Sequence, residues 1–213
     1  MKKQQSGFTL IEIAIVMVII GLLLGGVLKG QEVITNARIK NVNNDFSGIS
    51  AAVFSYQDRY SALPGDDFAA VAHLGATAVQ SDGTVGTVGN GVIEGNYAAA
   101  DDAVAATDNE TTLAWHHLRS SGLISGAATG NTSNDQPVHA MGGITGIATG
   151  NGAGAATNGL SGLNVFFAGV DGEMAAILDA QNDDSNADAG TIRHVTNGAG
   201  YVFGTAADMV FEM

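Results

Sequence analysis

The chain has no cysteine and only two prolines, Pro64 and Pro137, in 213 residues. An oxidising compartment is therefore permitted but unused, and some device other than a disulfide must pin the distal loops. With no proline before Pro64, nothing breaks a helix in the first sixty residues. Positive charge is scarce as well. Eight Lys and Arg stand against 21 Asp and Glu, for a formal net charge of −13, and beyond Tyr60 the only bases are Arg119 and Arg193. So acidic a surface argues against nucleic-acid binding, which needs a basic footprint, and suits a solvated exterior and bound cations. Walker, dinucleotide, CxxC and G-x-S-x-G motifs are missing, and the five histidines lack metal-ligand spacing. Nothing here resembles catalytic machinery.

What the chain does have comes first in it. Lys2 and Lys3 precede Gly7-Phe8-Thr9-Leu10-Ile11-Glu12, and an apolar run follows from Ile13 to Leu28. A basic start before a greasy stretch suggests a secretory signal, but no small-residue cleavage site follows the run. The candidate cut lies before it, at Gly7-Phe8, and would leave the apolar helix on the mature chain. Phe8 to Leu28 is long enough to cross a bilayer, which needs about 20 mostly apolar residues. Glu12 lies inside that span, where an unpaired carboxylate costs a few kcal/mol or more, so it needs a partner. Cleavage at Gly7-Phe8 creates one: a new α-amine four residues away, on the same subunit or on a neighbour offset along the helix. Gly21/Gly25 and Gly26/Gly30 have the small-xxx-small spacing of close membrane-helix packing, although glycine is common in membrane helices in any case.

Lys2, Lys3, Gly7, Phe8, Thr9, Leu10, Ile11, Glu12 and the Ile/Val/Leu run closely resemble the class III signal of type IV pilins and type II secretion pseudopilins. The resemblance covers about the first thirty residues. It implies that a prepilin peptidase cuts after Gly7, that Phe8 becomes the N-methylated terminus, and that Glu12 sets subunit register during filament assembly. It also implies a single-pass subunit of the bacterial inner membrane whose C-terminal domain is extracytoplasmic. Its partners would be like or unlike pilin-type subunits, the peptidase/methyltransferase and the assembly machinery, and the chain would not be an enzyme. Lys29, Arg38 and Lys40 follow the run and compete with Lys2 and Lys3 in setting orientation; the family precedent keeps the leader cytoplasmic. Two departures stand out. Many type IV pilins carry a proline near the end of this helix and a C-terminal disulfide, and this chain has neither.

From Gln31 to Tyr60 the pattern becomes amphipathic. Val42, Phe46, Ile49, Val53, Tyr56 and Tyr60 recur at spacings of three and four, one stripe on a helix face. The first stop is Ser61-Ala62-Leu63-Pro64-Gly65. A helix from Phe8 to Tyr60 would run about 80 Å. The Tyr-x-x-Leu-Pro-Gly-Asp-Asp stretch that ends it resembles a segment of some pilin-like proteins; Asp66 and Asp67 read as caps or as cation ligands. Val85, Val88, Val92 and Ile93 suggest short strands or an ordered loop. Thr107-x-x-Glu110 matches a capping box opening a helix from about Asp108 to Ser121, with Gly122 placed to end it. His116 and His117 are adjacent, so they point apart and cannot share a metal; packing is the expectation. Gly126 to Gly162 is too poor in large apolar residues for a core and reads as surface loop, with a glycosylation-type Asn131-Thr132-Ser133 inside it. Leu163 to Phe167 is a buried strand, Met174 to Leu178 a short helix or strand, and Ile192 to Val195 and Tyr201 to Phe203 further strand candidates.

The expected class is α+β: a long N-terminal helix packed on a small antiparallel sheet. The domains are a leader (1–7), the helix (8–60, with 8–28 transmembrane) and an acidic extracytoplasmic domain (61–213). In that domain Asp184, Asn186 and Asp188 alternate ahead of Gly190, in the manner of calcium-loop ligands, with Asp179 and Asp183 just before them. Glycine falls one place late and Val195 stands where a closing glutamate belongs, so calcium and a solvated acidic turn are the two readings. For the whole chain the expectation is a structural subunit of a type IV pilus-like filament. The alternatives are a pseudopilin of a type II secretion system and a tethered, non-polymerising adhesin or cation binder. Glu12 discriminates, because a tether has no use for a buried acid.

Overall fold

A computed structural model describes residues 9–76, 78–79, 87–97, 109–127, 136–150 and 158–213. Helix α1 runs without a break from Leu10 to Tyr60, 51 residues. Ser61, at φ 56°, leaves the helix while its N–H still bonds the Gln57 carbonyl at 2.8 Å. Short helix α2 (Ala70–Leu74) and helix α3 (Glu110–Ser120) follow. Then come β1 (Thr145–Thr149), β2 (Leu163–Asp171), α4 (Gly172–Asn182), β3 (Ile192–His194) and β4 (Ala206–Glu212). The four strands form one antiparallel sheet in the order β1-β2-β4-β3. The long apolar helix and the small antiparallel sheet make the α+β, pilin-like arrangement that the sequence led us to expect.

The chain divides into two compact units, Met1–Lys40 and Asn41–Met213. In the first, each large apolar side chain from Leu10 to Leu28 is exposed, from 46% at Ile20 to 87% at Leu10. An apolar surface of that extent marks a membrane or protein contact. In the second, the α1 stripe is core: Val42, Val53 and Tyr56 are fully buried and Ile49 nearly so.

The sheet has two covered faces because β2 carries bulk on both. Val165, Phe166 and Phe167 are all fully buried. On one face the Phe167 ring meets Phe211 of β4 edge-on at 5.1 Å, and Phe211 meets Phe46 of α1 at 5.3 Å. On the other, Tyr97 stacks on Phe166 at 4.2 Å over Ala148, Leu160, Val195 and Val210. Strand edges do not stay open. Thr145 N–H bonds Pro137 O, Thr149 N–H bonds Ile93 O, and His194 N–H bonds Ala187 O, which removes the unpaired ladder groups that invite another chain.

Some expectations need correcting, and two that were left as alternatives are decided. The 126–162 region is not all surface loop: Thr145-Gly-Ile-Ala-Thr149 is strand β1, with all five residues buried. It reaches the core through small side chains, which composition does not flag. Tyr201 to Phe203 is not a strand; Val202 and Phe203 are exposed, and the strand is β4, three residues further on. Met174 to Leu178 is helical, within α4. No strand forms around Val88, Val92 and Ile93, which belong to an ordered loop. Helix α3 is capped by Asn109, whose side chain accepts the Thr111 N–H. Thr107, Val85 and Asn131 to Ser133 lie outside the described residues, as do the leader and Phe8.

Candidate functional site

The described part of the N-terminal motif opens α1 with a reciprocal cap. Thr9 donates its N–H and its hydroxyl to Glu12 Oε2, at 2.8 and 2.7 Å, and Glu12 N–H reaches Thr9 Oγ1 at 3.3 Å. This is the capping-box arrangement, with Thr9 as cap and Glu12 as third helical residue. The helix N-terminus also favours negative charge there. Within one chain, then, the local backbone partly satisfies the acid. Glu12 Oε1 takes part in none of these bonds among the described residues.

At the far end of α1 the Leu63-Pro64-Gly65-Asp66-Asp67 stretch forms a buried polar lock. Asp66 Oδ1 accepts the N–H groups of Gly89 and Asn90, and its Oδ2 accepts that of Gly91 at 2.7 Å. Burial pushes the Asp66 carboxyl above its ordinary range, against the pull of those N–H groups. Asp67 Oδ2 accepts the Tyr56 hydroxyl at 2.8 Å and meets His73 Nδ1 at 2.7 Å, while Oδ1 accepts Ala69 N–H at 2.9 Å. Burial and the Asp67 carboxylate together raise the Tyr56 pKa. Donors surround both acids, so they tie α1 to the 66–91 segment and suit no cation. Gly65 is required at φ 94°, because a side chain there would run into the Glu110 carbonyl.

The two histidines of α3 complete the lock. Gly65 N–H donates to His117 Nδ1 at 2.9 Å, so Nε2 carries the proton and donates to Val79 O at 2.7 Å. His116 Nε2 accepts Val79 N–H at 3.1 Å. Adjacent side chains thus hold one residue by both of its backbone groups. Burial lowers the His117 pKa to about 4, which keeps the ring neutral and able to accept.

The acidic 179–190 stretch is arranged otherwise than its alternation suggests. Carboxylate oxygens of Asp179, Asp183 and Asp184 lie within 4.8 Å of one another. Asn186 and Asp188 spend their oxygens elsewhere: Asn186 Oδ1 accepts Asp188 N–H at 3.1 Å, and Asp188 Oδ1 accepts Gly198 N–H and Asn158 Nδ2 at 2.8 and 2.9 Å. Asp183 Oδ2 also accepts Ile192 N–H at 2.8 Å and so holds the start of β3. Gly190 is needed at φ 71°, since the Asp183 carboxylate occupies the room of a side chain. Asp179 is fully buried. Its Oδ1 accepts Ser185 N–H at 3.1 Å. Tyr201 approaches closely enough to favour the carboxylate but lacks true hydrogen-bond geometry, which leaves Oδ2 unsatisfied. Burial raises the Asp179 pKa, and the charges of Asp183 and Asp184 raise it further. Three mutually repelling acids around an unsatisfied buried oxygen form a donor set that a hard, oxygen-seeking cation fits.

Only comparison with known proteins reaches back to the N-terminal site. A model of the prokaryotic N-terminal methylation motif matches residues 2–28. The chain carries the prepilin-type motif of type IV pilins and pseudopilins. That motif belongs to structural subunits processed by prepilin peptidase and assembled into filaments, and with the apolar helix it fits membrane anchoring before assembly. No curated protein and no solved structure matches the chain. Sequence reasoning had the motif residues but overlooked the Thr9–Glu12 box, whose T-x-x-E spacing was visible, and the lock that fixes Asp66, Asp67 and the histidine pair.

Proposed function

We propose that this chain is the structural, non-enzymatic subunit of a type IV pilus-like filament. It would be inserted in the inner membrane, cleaved after Gly7, methylated on Phe8, and assembled through the first half of α1 with its acidic domain outside the cytoplasm. One observation carries the proposal. The methylation motif and an exposed apolar run both end at Leu28, and the helix that carries them continues unbroken to Tyr60. Glu12 would then serve twice. In the free subunit it closes the Thr9 cap; in the filament it pairs with the Phe8 amine of a neighbour, which relieves the cost of a carboxylate in a low-dielectric seam. The unkinked, proline-free α1 favours a second reading, a type II secretion pseudopilin, and intact-mass and electron-microscopic analysis of sheared surface filaments separates the two. Surface filaments built from this chain support the pilus; a chain confined to the periplasm supports the pseudopilus. The processing itself is tested by mass spectrometry of the mature N-terminus, where methyl-Phe8 is expected. An intact leader, or a cut after residue 20, overturns it.

Calcium belongs to the same proposal as a structural ion. Asp179, Asp183 and Asp184 would hold it, and it would neutralise their repulsion in place of the missing disulfide. Asn186 and Asp188 would shape the loop around it rather than ligate.

A further inference from the structure

Beyond the apolar run, polarity resumes at Lys29 and Glu32, paired at 2.7 Å. Yet Val33 and Ile34, past that border, are 58% and 55% exposed. Arg38 lies one turn after Ile34 on the same helix face; it is exposed and makes no ion pair among the described residues. An apolar patch capped by a guanidinium, outside the roughly 20 residues a bilayer covers, is a surface for protein.

The globular unit has the complementary feature. A groove of about 390 Å³ is walled by Ile49, Trp115, Ile124 and Val138, the last 67% exposed, with Asp45 at its lip. Asp45 has His139 as its ionisable neighbour. Both His139 nitrogens are engaged, Nε2 with Ala168 O at 2.9 Å and Nδ1 with Met141 N–H at 3.3 Å, and no Lys or Arg pairs with Asp45 among the described residues. The unit around it holds all the chain's acids except Glu12 and Glu32, and its bases are Arg59, Arg119 and Arg193 alone. Two such units repel each other, whereas a basic, apolar helix face is attracted.

We infer that in the assembled state the Ile34–Ala37–Arg38 face of one copy docks in the Asp45–Val138 groove of a second copy, with Arg38 on Asp45. This rests on the filament reading and names one of its contacts. The lack of native cysteine gives a clean test in the full-length, matured chain. Ile34→Cys and Val138→Cys are placed on separate, differently tagged copies, co-expressed and mildly oxidised. A mixed disulfide dimer is expected in the filament fraction, and none with Thr196→Cys in place of Val138→Cys. Charge exchange supplies a second readout. Arg38→Glu and Asp45→Arg each lower filament yield about tenfold, and together they restore at least half of it. Filaments that form normally but show neither the dimer nor the rescue overturn the contact and leave the filament reading standing. Cross-linking of Val138→Cys to a different protein overturns the second copy as occupant. A wild-type chain that never polymerises overturns both.

Discussion

From Leu10 to Leu28 helix α1 exposes its large apolar side chains all round; from Val42 to Tyr56 it buries one stripe and leaves neighbours such as Phe54 in water. The backbone is the same unbroken helix throughout, so the difference lies in what each half has been given to touch. The second half finds its partners inside the chain: Phe211 against Phe46, Asp67 on Tyr56. The large apolar side chains of the first half are exposed among the described residues, a surface suited to lipid or to other subunits. Substitutions in the second half should therefore cost folding, and substitutions in the first should cost assembly alone.

Asp67→Ala tests the folded half most severely. It strands the Tyr56 hydroxyl in a buried site and takes a partner from the half-buried Ala69 N–H and from the exposed His73 ring. A stranded buried group costs about 1 to 3 kcal/mol, and denaturant unfolding should show a loss of about 3 kcal/mol. A loss below about 1 kcal/mol would mean that the lock is ornamental.

Acid should act next. His117 titrates at about 4 in the fold against about 6.5 in an unfolded chain. The unfolded state thus binds the extra proton first. Its contribution is complete above pH 6.5 and disappears as pH falls towards 4, about 3 kcal/mol in all. Asp66 and Asp179, raised by burial, act in the opposite sense. The difference between wild type and His117→Gln isolates the histidine: the wild type should lose more stability between pH 6.5 and 4. Parallel curves would count against a neutral, accepting His117.

Calcium should raise the melting temperature of the wild-type chain relative to chelator. Saturation at 100 times the dissociation constant adds about 2.7 kcal/mol. Asp179→Asn/Asp184→Asn should lose that shift, while Asn186→Ala should keep it. Equal melting in calcium and chelator would leave the loop a self-bonded acidic turn. The smallest effect belongs to Phe54→Ala, 48% exposed on the core-bearing half, where a change within about 0.5 kcal/mol is expected. A larger loss would show that the stripe is wider than one face.

Residues with a strong period or a specific motif were legible in the sequence. The Val42-to-Tyr60 stripe, the stop at Ser61 and the Leu163-to-Phe167 strand all stand where their spacing put them. The prepilin motif was equally plain. Strand β1 was not, because Gly146 and Ala148 fill a crowded core with little apolar bulk. Strand β4 lost out to Val202-Phe203, a more conspicuous apolar pair that turns out to face solvent. The acidic loop misled through its alternation. Asp179 and Asp183, four residues apart at the end of α4, are neighbours by helical spacing, whereas Asp184 and Asn186 form turns in which each side chain caps the next backbone N–H but one, and Asp188 turns to the Gly198 N–H. Reading 172–182 as helix would have found the convergent trio.

The division of α1 into an assembling half and a folding half is tested most directly by Glu12→Val, measured for both properties in one preparation. Filament yield after membrane insertion should fall to nothing, because a Phe8 amine left without its acid costs about 3 to 5 kcal/mol per contact. The melting temperature of the globular unit should stay that of wild type. Filaments at wild-type level from Glu12→Val subunits would contradict the pairing and return the chain to a simple membrane tether.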